Sequence, residues 1–159
     1  MKVHRYSAEY AEVVADAAAR GFLVDLGLPA VPGVFTPAES PQERVFGDAA
    51  AGALLRISLG TEGGGFFGAG LLHGEIIYVT EYNSQRFYVN SSPELFAGCL
   101  EAFQEHAARC ASAGADFEAI AESLGEAIER IDPPALRDDP GFWRSLLFDM
   151  ANGDYAPGQ

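Results

Sequence analysis

The segment Gly74–Phe103 constrains the fold more than any other part of the chain, because its residue pattern changes twice over a short distance. Ile76–Thr80 and Arg86–Val89 are short runs of β-branched and aromatic residues, and the polar residues 83–85 between them suit a hairpin loop. Apolar side chains alternate onto both faces of these two strands. We therefore expect the hairpin to lie mid-sheet with at least one face covered by helices.

A capped helix is predicted directly after the hairpin. Ser91 or Ser92 can accept a hydrogen bond from a free N–H of the first helical turn. Pro93 fits a position that needs no N–H, and Glu94 suits the positive end of the helix dipole. The apolar residues that follow at helical spacing are Leu95, Phe96, Cys99, Leu100, Phe103, Ala107 and Cys110. This stripe predicts a helix with one face in the core.

Two further strands are predicted before the hairpin, at Leu54–Leu59 and Phe66–Leu72. Because nothing between the predicted strands is long enough for a crossover helix, they should form an antiparallel meander. The sequence thus predicts an α+β fold with an antiparallel sheet of four or more strands flanked by helices. No repeat or linker divides residues 1–159, so we expect a single domain with a loose tail from about residue 156.

A helix and an extended connection are predicted before the sheet. Ser7 should cap a first helix that runs to about Ala19, and Gly21 should interrupt it. The prolines between residues 29 and 41 make a helix costly there, so that part of the chain is predicted to be extended.

Two more helices are predicted after a break at Gly114. An apolar stripe at helical spacing is formed by Phe117, Ile120, Ala121, Leu124, Ala127, Ile128 and Ile131. A last helix should run from about residue 140 to residue 150. The apolar neighbours of Trp143 in that helix indicate that its side chain packs in the core.

The charge balance limits the classes of partner. The 159 residues include 10 basic and 23 acidic ones, which gives a net charge of -13. Such a charge argues against direct binding of nucleic acid or of an anionic membrane, and it is compatible with a basic partner. No apolar run is long enough to span a bilayer.

The cysteines and the N-terminus both point to a cytoplasmic protein. Cys99 and Cys110 lie on one predicted helix, too far apart to bridge each other, and two buried, reduced thiols fit the cytosol better than a secreted disulfide scaffold. The polar start of the chain is not followed by the apolar region of a signal peptide.

Patterns that resemble catalytic or ligand motifs fail on their spacing. Gly63–Gly68 match G-x-G-x-x-G, but a strand instead of a helix is predicted to follow, which favours a turn over a phosphate site. His73 and Glu75 form H-x-E without the P-C-x-x-C of zinc deaminases. We therefore predict no catalytic residue, no metal and no cofactor. The alternative, a small hydrolase or deaminase, would require bound zinc or a deep polar pocket.

The run Phe87–Phe96, with Val-Asn-Ser-Ser at residues 89–92, resembles the strand-to-helix junction of SUKH-4 immunity proteins, a branch of the Smi1/Knr4-related SUKH superfamily. Further matches lie in the expected order over most of the chain, from about Gly27 to Tyr155. They are Gly27-Leu28-Pro29, Val34-Phe35-Thr36-Pro37, Leu59-Gly60, Gly74-Glu75, Asp132-Pro133 and Phe142-Trp143. The order and spacing of these pieces carry the resemblance, since none of them is chemically diagnostic alone.

This resemblance implies a non-enzymatic immunity protein that binds and blocks a cognate toxin domain. The toxin would be a nuclease or nucleic-acid deaminase of a bacterial polymorphic toxin system. Because loops carry recognition more often than packing, we expect the toxin to contact the hairpin loop, its flanks and a nearby acidic turn. The predicted partner-binding residues are Glu62, Glu81, Tyr82, Asn83 and Arg86.

A protein of a different class is the alternative: an interaction or scaffold module of the same superfamily that has no toxin partner. Such a module would share the predicted fold and the lack of catalytic residues. A neighbouring toxin gene would favour the immunity function, and its absence would favour the scaffold.

Overall fold

The computed structural model of the chain describes residues 2–39, 43–48, 52–60 and 64–157. These residues form two compact units, residues 1–97 and residues 98–159, which are described separately below. The described elements comprise helices, a five-stranded antiparallel sheet and a two-stranded sheet. The predicted α+β class, with an antiparallel sheet of four or more strands, is therefore confirmed.

The strands all lie in the first unit, and most helices lie in or extend into the second. The strands are β1 (Val3–His4), β2 (Leu28–Pro29), β3 (Val45–Phe46), β4 (Leu54–Arg56), β5 (Gly65–Gly70), β6 (Ile76–Thr80) and β7 (Arg86–Asn90). The helices are α1 (Ala8–Ala11), α2 (Ala17–Asp25), α3 (Pro93–Arg109), α4 (Phe117–Ile131), α5 (Phe142–Ala151) and a 3-10 helix (Pro133–Leu136).

The large sheet is a meander in the order β3-β4-β5-β6-β7, with every neighbouring pair antiparallel, as predicted. The prediction that the β6–β7 hairpin lies mid-sheet is wrong, because β7 stands at one end of this order. The chain enters α3 at Pro93, directly after β7. Among the described residues, no strand pairs with the outer edge of β7. The middle strand is β5.

Every residue of β5 is buried, and its glycines allow the neighbouring strands to approach closely. A Cβ on Gly65 would lie 2.1 Å from the Val79 carbonyl oxygen, and one on Gly68 would lie 2.8 Å from the Cβ of Leu54. Real Cβ atoms do not tolerate such distances. Gly65 and Gly68 belong to the G-x-G-x-x-G pattern, and close packing between strands explains why both are glycines. Gly63, the first glycine of the pattern, lies outside the described residues.

The strand-to-helix junction is stabilised by polar side chains. Ser92 Oγ accepts a hydrogen bond from Leu95 N at 3.2 Å, which confirms Ser92 as the cap of α3. The Tyr88 hydroxyl lies 2.6 Å from Ser91 Oγ, and Asn90 is fully buried. The cap contributes about 1 kcal/mol, and the burial of Phe96 one turn later contributes about 1.5–3 kcal/mol.

The first helix predicted from the sequence is wrong in its extent. Ser7 Oγ caps α1 by accepting from Tyr10 N at 3.1 Å, as predicted, but α1 ends at Ala11. Ala15 N instead donates to the Leu71 carbonyl at 2.6 Å, which holds the chain out of a helix. Asp16 then caps α2, and Gly21 lies inside this second helix instead of interrupting one.

Smaller differences concern strand ends. β4 ends at Arg56 instead of Leu59, although Ser58 still forms a bridge with Pro37, and β5 spans Gly65–Gly70 instead of Phe66–Leu72. β3 was not predicted at all, because two residues carry too little pattern to indicate a strand. The predicted extended, proline-rich connection is extended at β2 but turns between Val31 and Phe35, where Val34 N and Phe35 N both donate to the Val31 carbonyl; Pro41 lies outside the described residues.

The second unit is helical. α4 has the predicted bounds and is capped by Asp116, whose Oδ1 accepts from Ala119 N at 3.1 Å. Trp143 is fully buried, as predicted, with its ring centroid 6.4 Å from that of Phe103. His106 joins α3 to α4, since its Nε2 lies 3.1 Å from Ser123 Oγ.

Other predictions for this unit have mixed outcomes. Cys99 and Cys110 are both buried and form no disulfide, as predicted. The last helix begins at Phe142, two residues later than predicted from the sequence. In the tail, Ala156 N donates to the Gly153 carbonyl at 3.0 Å, while residues 158 and 159 lie outside the described part of the chain.

Two glycines of the first unit form a matched pair for testing close approach. Gly27 and Gly33 both have φ of +80°, but a Cβ on Gly27 would lie 2.2 Å from the His4 carbonyl oxygen, whereas no described atom lies within 4 Å of that position on Gly33. Gly33→Ala should lower the free energy of unfolding by about 1–2 kcal/mol through backbone strain alone. Gly27→Ala should cost about 1–3 kcal/mol more through the added collision.

Urea unfolding of the two variants beside the wild-type protein measures this difference. Equal losses of stability for Gly27→Ala and Gly33→Ala would contradict the close approach between β1 and the end of α2.

Candidate functional site

The hairpin loop between β6 and β7 is shaped by its own polar side chains. Thr80 N donates to the Gln85 carbonyl at 2.9 Å, and Ser84 N donates to the Thr80 carbonyl at 2.9 Å. Asn83 Oδ1 accepts from Gln85 N at 3.1 Å and from the Thr80 hydroxyl. Ser84 has a φ of 54°, in the left-handed region. The Asn83 side chain therefore organises the turn, so its oxygen is already occupied.

The neighbouring Tyr82 is exposed to solvent instead of taking part in the turn's hydrogen bonds that are described above. Its side chain is 99% exposed, the highest value among the large hydrophobic residues. An exposed tyrosine on a loop held by hydrogen bonds loses little conformational freedom when it binds, and tyrosine is enriched among residues that dominate binding energy. Tyr82 is the side chain of the predicted set that is most available to a protein partner.

Glu81 connects the hairpin loop to the end of the β4 segment. Its backbone N donates to the Gly64 carbonyl at 3.1 Å, and a Cβ on Gly60 would lie 2.3 Å from Glu81 Oε1. The carboxylate therefore lies against Gly60. Leu59, beside Gly60 in the chain, is 51% exposed. We name Leu59, Gly60, Glu81 and Tyr82 the loop surface.

Arg86 has different surroundings from Glu81. Its Nη1 donates to the Gly52 carbonyl at 2.6 Å, and its guanidinium lies 5.6 Å from the ring centroid of Phe46. These contacts tie Arg86 to Gly52, before β4, and to Phe46 of β3. The structure thus brings together Glu81, Tyr82 and Asn83 in one loop and engages Arg86 in structural contacts, while Glu62 lies outside the described residues.

A cavity of about 310 Å³ lies next to the loop surface. Its walls come from residues 33–36, from Ser58 and Leu59, from Gly65 and Phe67 of β5, and from Tyr78 of β6. Three aromatic rings line it in series: the Phe67 centroid lies 5.1 Å from that of Phe35 and 5.0 Å from that of Tyr78. The residues that line the cavity therefore include three aromatic residues and two that carry hydroxyl groups, Thr36 and Ser58.

The chain just after the lining residues 33–36 is held to the segment that follows β4 through one acceptor. The Ile57 carbonyl accepts from Ala38 N at 3.0 Å and also from the buried Tyr6 hydroxyl. One residue later, Ser58 Oγ accepts from Phe67 N at 2.9 Å. These bonds give the cavity a rigid frame.

The motif-like residues outside this region show no assembled chemical site. His73 is exposed, and the Glu75 carboxylate folds back against Gly70, where a Cβ would lie 1.5 Å from Glu75 Oε1. Within the described ranges, no group of three or more His, Cys, Asp or Glu residues could hold a metal ion. None of the helices described is long and apolar enough to cross a membrane.

Sequence reasoning missed Leu59, Thr36, Ser58 and Tyr78 as parts of the candidate site. They belong to three separated segments, which only the fold brings together. The Leu59-Gly60 pair was noted as a motif, but no local pattern indicates that Glu81 would lie against it.

The geometry defines an α+β protein in which a five-stranded antiparallel meander runs into a serine-capped helix, with an exposed loop beside an aromatic cavity. The family model described as SUKH-4 immunity protein matches residues 2–149. The chain therefore belongs to the SUKH-4 immunity protein family, which confirms the resemblance seen in the sequence. Comparisons with curated proteins and with solved structures found no match.

The Tyr6 hydroxyl offers a test of the frame around the cavity. Burial raises the pKa of Tyr6 well above its usual value of 10.0, and Tyr10 and Glu39 raise it further. At pH above about 10 the unfolded chain releases this proton and the folded chain keeps it, so stability should fall with pH by up to about 1.4 kcal/mol per pH unit. Below that pH the full contribution is present.

Tyr6→Phe should lower the free energy of unfolding by about 0.5–1.5 kcal/mol at neutral pH, because the Ile57 carbonyl keeps its bond from Ala38. The gap between wild type and variant should shrink above pH 10. Burial also raises the pKa of Tyr155, to about 12, but both proteins share that contribution. Urea unfolding at a series of pH values measures the gap, with the exposed Tyr82→Phe as control; a gap independent of pH would contradict this role of Tyr6.

Proposed function

We propose that this protein neutralises a cognate toxin domain by binding it, and that the toxin is a nuclease or nucleic-acid deaminase of a bacterial polymorphic toxin system. The observation that carries the proposal is the match of the SUKH-4 immunity protein family to residues 2–149, nearly the whole chain. Immunity would act in the cytoplasm of the producing cell, and the protein would work by occlusion, without catalysis.

The charge of the chain supports a basic partner. Its net charge is -13, from 23 acidic and 10 basic residues. Enzymes that act on nucleic acid bind phosphates through basic clefts, and an opposite charge on the inhibitor can raise association rates up to roughly 10⁸–10⁹ M⁻¹s⁻¹ at low salt. Useful neutralisation requires a dissociation constant near 1 nM or below, about -12 kcal/mol.

The loop surface is the proposed centre of the interface. Tyr82 and Leu59 supply exposed apolar area, and Glu81 supplies a carboxylate that lies against Gly60. Asn83 and Arg86 would act by holding the loop and the sheet in shape, as their hydrogen bonds indicate. Glu62 stays a predicted addition to the acidic rim.

A tagged pull-down from the native host tests the function. Recovery of a basic nuclease-like or deaminase-like domain in stoichiometric amount, followed by loss of its toxicity on co-expression, is the expected result. If the co-purifying proteins are regulatory or metabolic ones and no toxin gene lies nearby, the scaffold module becomes the better explanation.

Two substitutions in the loop surface test the site. Glu81→Gln with Tyr82→Ala should weaken toxin binding by at least about tenfold, since the change removes both a charge and an aromatic anchor. The free energy of unfolding should change little, because both side chains are exposed. Calorimetry or surface plasmon resonance with the recovered toxin measures the affinity.

A matched control is the double variant Glu12→Gln and Leu26→Ala, which also removes one exposed carboxylate and one exposed apolar side chain from the first unit. This control should bind the toxin as the wild type does. Equal affinity for all three proteins would remove the loop surface from the interface while leaving the immunity function untouched.

A further inference from the structure

The cavity beside the loop surface has a composition that selects among side chains. Its volume of about 310 Å³ is several times the share of a water molecule in the liquid, about 30 Å³, so a long side chain can enter. The lining residues include Phe35, Phe67 and Tyr78, which carry aromatic rings, and Thr36 and Ser58, which carry hydroxyl groups. None of the described residues that line it carries a charge.

The Glu81 carboxylate lies against a residue that adjoins the lining of this cavity in sequence. Glu81 lies against Gly60, the residue after the lining Leu59, and its backbone is bonded to Gly64, the residue before the lining Gly65. Both contacts of Glu81 are thus with residues next in sequence to residues that line the cavity. An anionic side chain in the cavity would be repelled by Glu81 and would find no described cation, whereas a cation would be attracted.

We propose that the cavity receives an arginine side chain of the protein partner. A guanidinium can lie on an aromatic face while its N–H groups donate to a carboxylate and to hydroxyl oxygens. It is also more weakly hydrated than the ammonium of lysine, so it enters a partly apolar cavity at lower cost. Glu81 pairs with the guanidinium, Tyr78 provides a ring, and Thr36 provides a hydroxyl oxygen.

The identity of the arginine as a toxin residue rests on the proposed function, but the chemistry of the cavity does not. The two can therefore be tested apart. The probe is N-acetyl-L-argininamide, titrated into ¹⁵N-labelled protein and followed by the chemical shifts of backbone amides. The matched neutral probe is N-acetyl-L-citrullinamide, which has nearly the same shape without the charge.

The expected result is a saturable shift of the amides of Thr36, Ser58, Gly65 and Tyr78 with the arginine probe and a weaker response to the citrulline probe. Glu81→Gln should weaken binding of the arginine probe by about twofold to fivefold, the range for an exposed ion pair. Thr36→Val should weaken it as well, while Glu12→Gln, which removes the same charge elsewhere, should have no effect.

Three results would overturn the proposal: equal responses to the two probes, equal binding by the Glu81→Gln and Glu12→Gln variants, or shifts spread over acidic residues without saturation in the cavity. The last is the pattern of nonspecific attraction to a chain of net charge -13. Since no toxin takes part, each outcome is independent of whether the pull-down recovers one.

Discussion

The first unit depends on a middle strand that is buried on both faces and whose glycines leave room for neighbouring residues to pack closely against its backbone. Every residue of β5 is buried, and three of the six are glycines. The Val79 carbonyl, the Leu54 side chain and the Glu75 carboxylate all occupy space that a Cβ would need. The remaining large side chains of β5 then have distinct roles: Phe66 packs with Leu54 and Val79, while Phe67 packs with Phe35 and Phe96. A strand of larger residues would force β4 and β6 apart and would remove the cavity wall.

Local patterns predicted the elements whose causes are local. β6 and α4 have the predicted bounds because β-branched alternation and a helical apolar stripe act over a few neighbouring residues. The first helix failed for the opposite reason: Ala15 is bonded to Leu71, far along the chain, and this contact overrides the helical spacing around it. The position of the hairpin failed similarly, since alternation of apolar residues reports burial of both faces and does not report how many strands follow.

The candidate site was only partly predictable. Loop position and polarity indicated Glu81, Tyr82, Asn83 and Arg86 as a set, but residue type alone could not separate the roles within it. The hydrogen bonds of Asn83 organise the turn and Arg86 donates to the Gly52 carbonyl, whereas Tyr82 is almost fully exposed. The cavity could not be predicted, because its lining is assembled from residues 33–36, 58–59 and two strands that local patterns treat independently.

Net charge and local shape contribute to binding at different distances. A charge of -13 attracts a basic partner from afar, but the attraction is screened beyond about 8–10 Å at physiological salt and is shared by every acidic protein of the cell. Discrimination among basic partners therefore has to arise at contact. In the proposed complex this discrimination would come from Glu81 and the neighbouring aromatic cavity, because the guanidinium must meet a ring, an acceptor and an opposite charge together. The proposed recognition therefore rests on Glu81 and the cavity beside the loop surface instead of on the acidic surface as a whole.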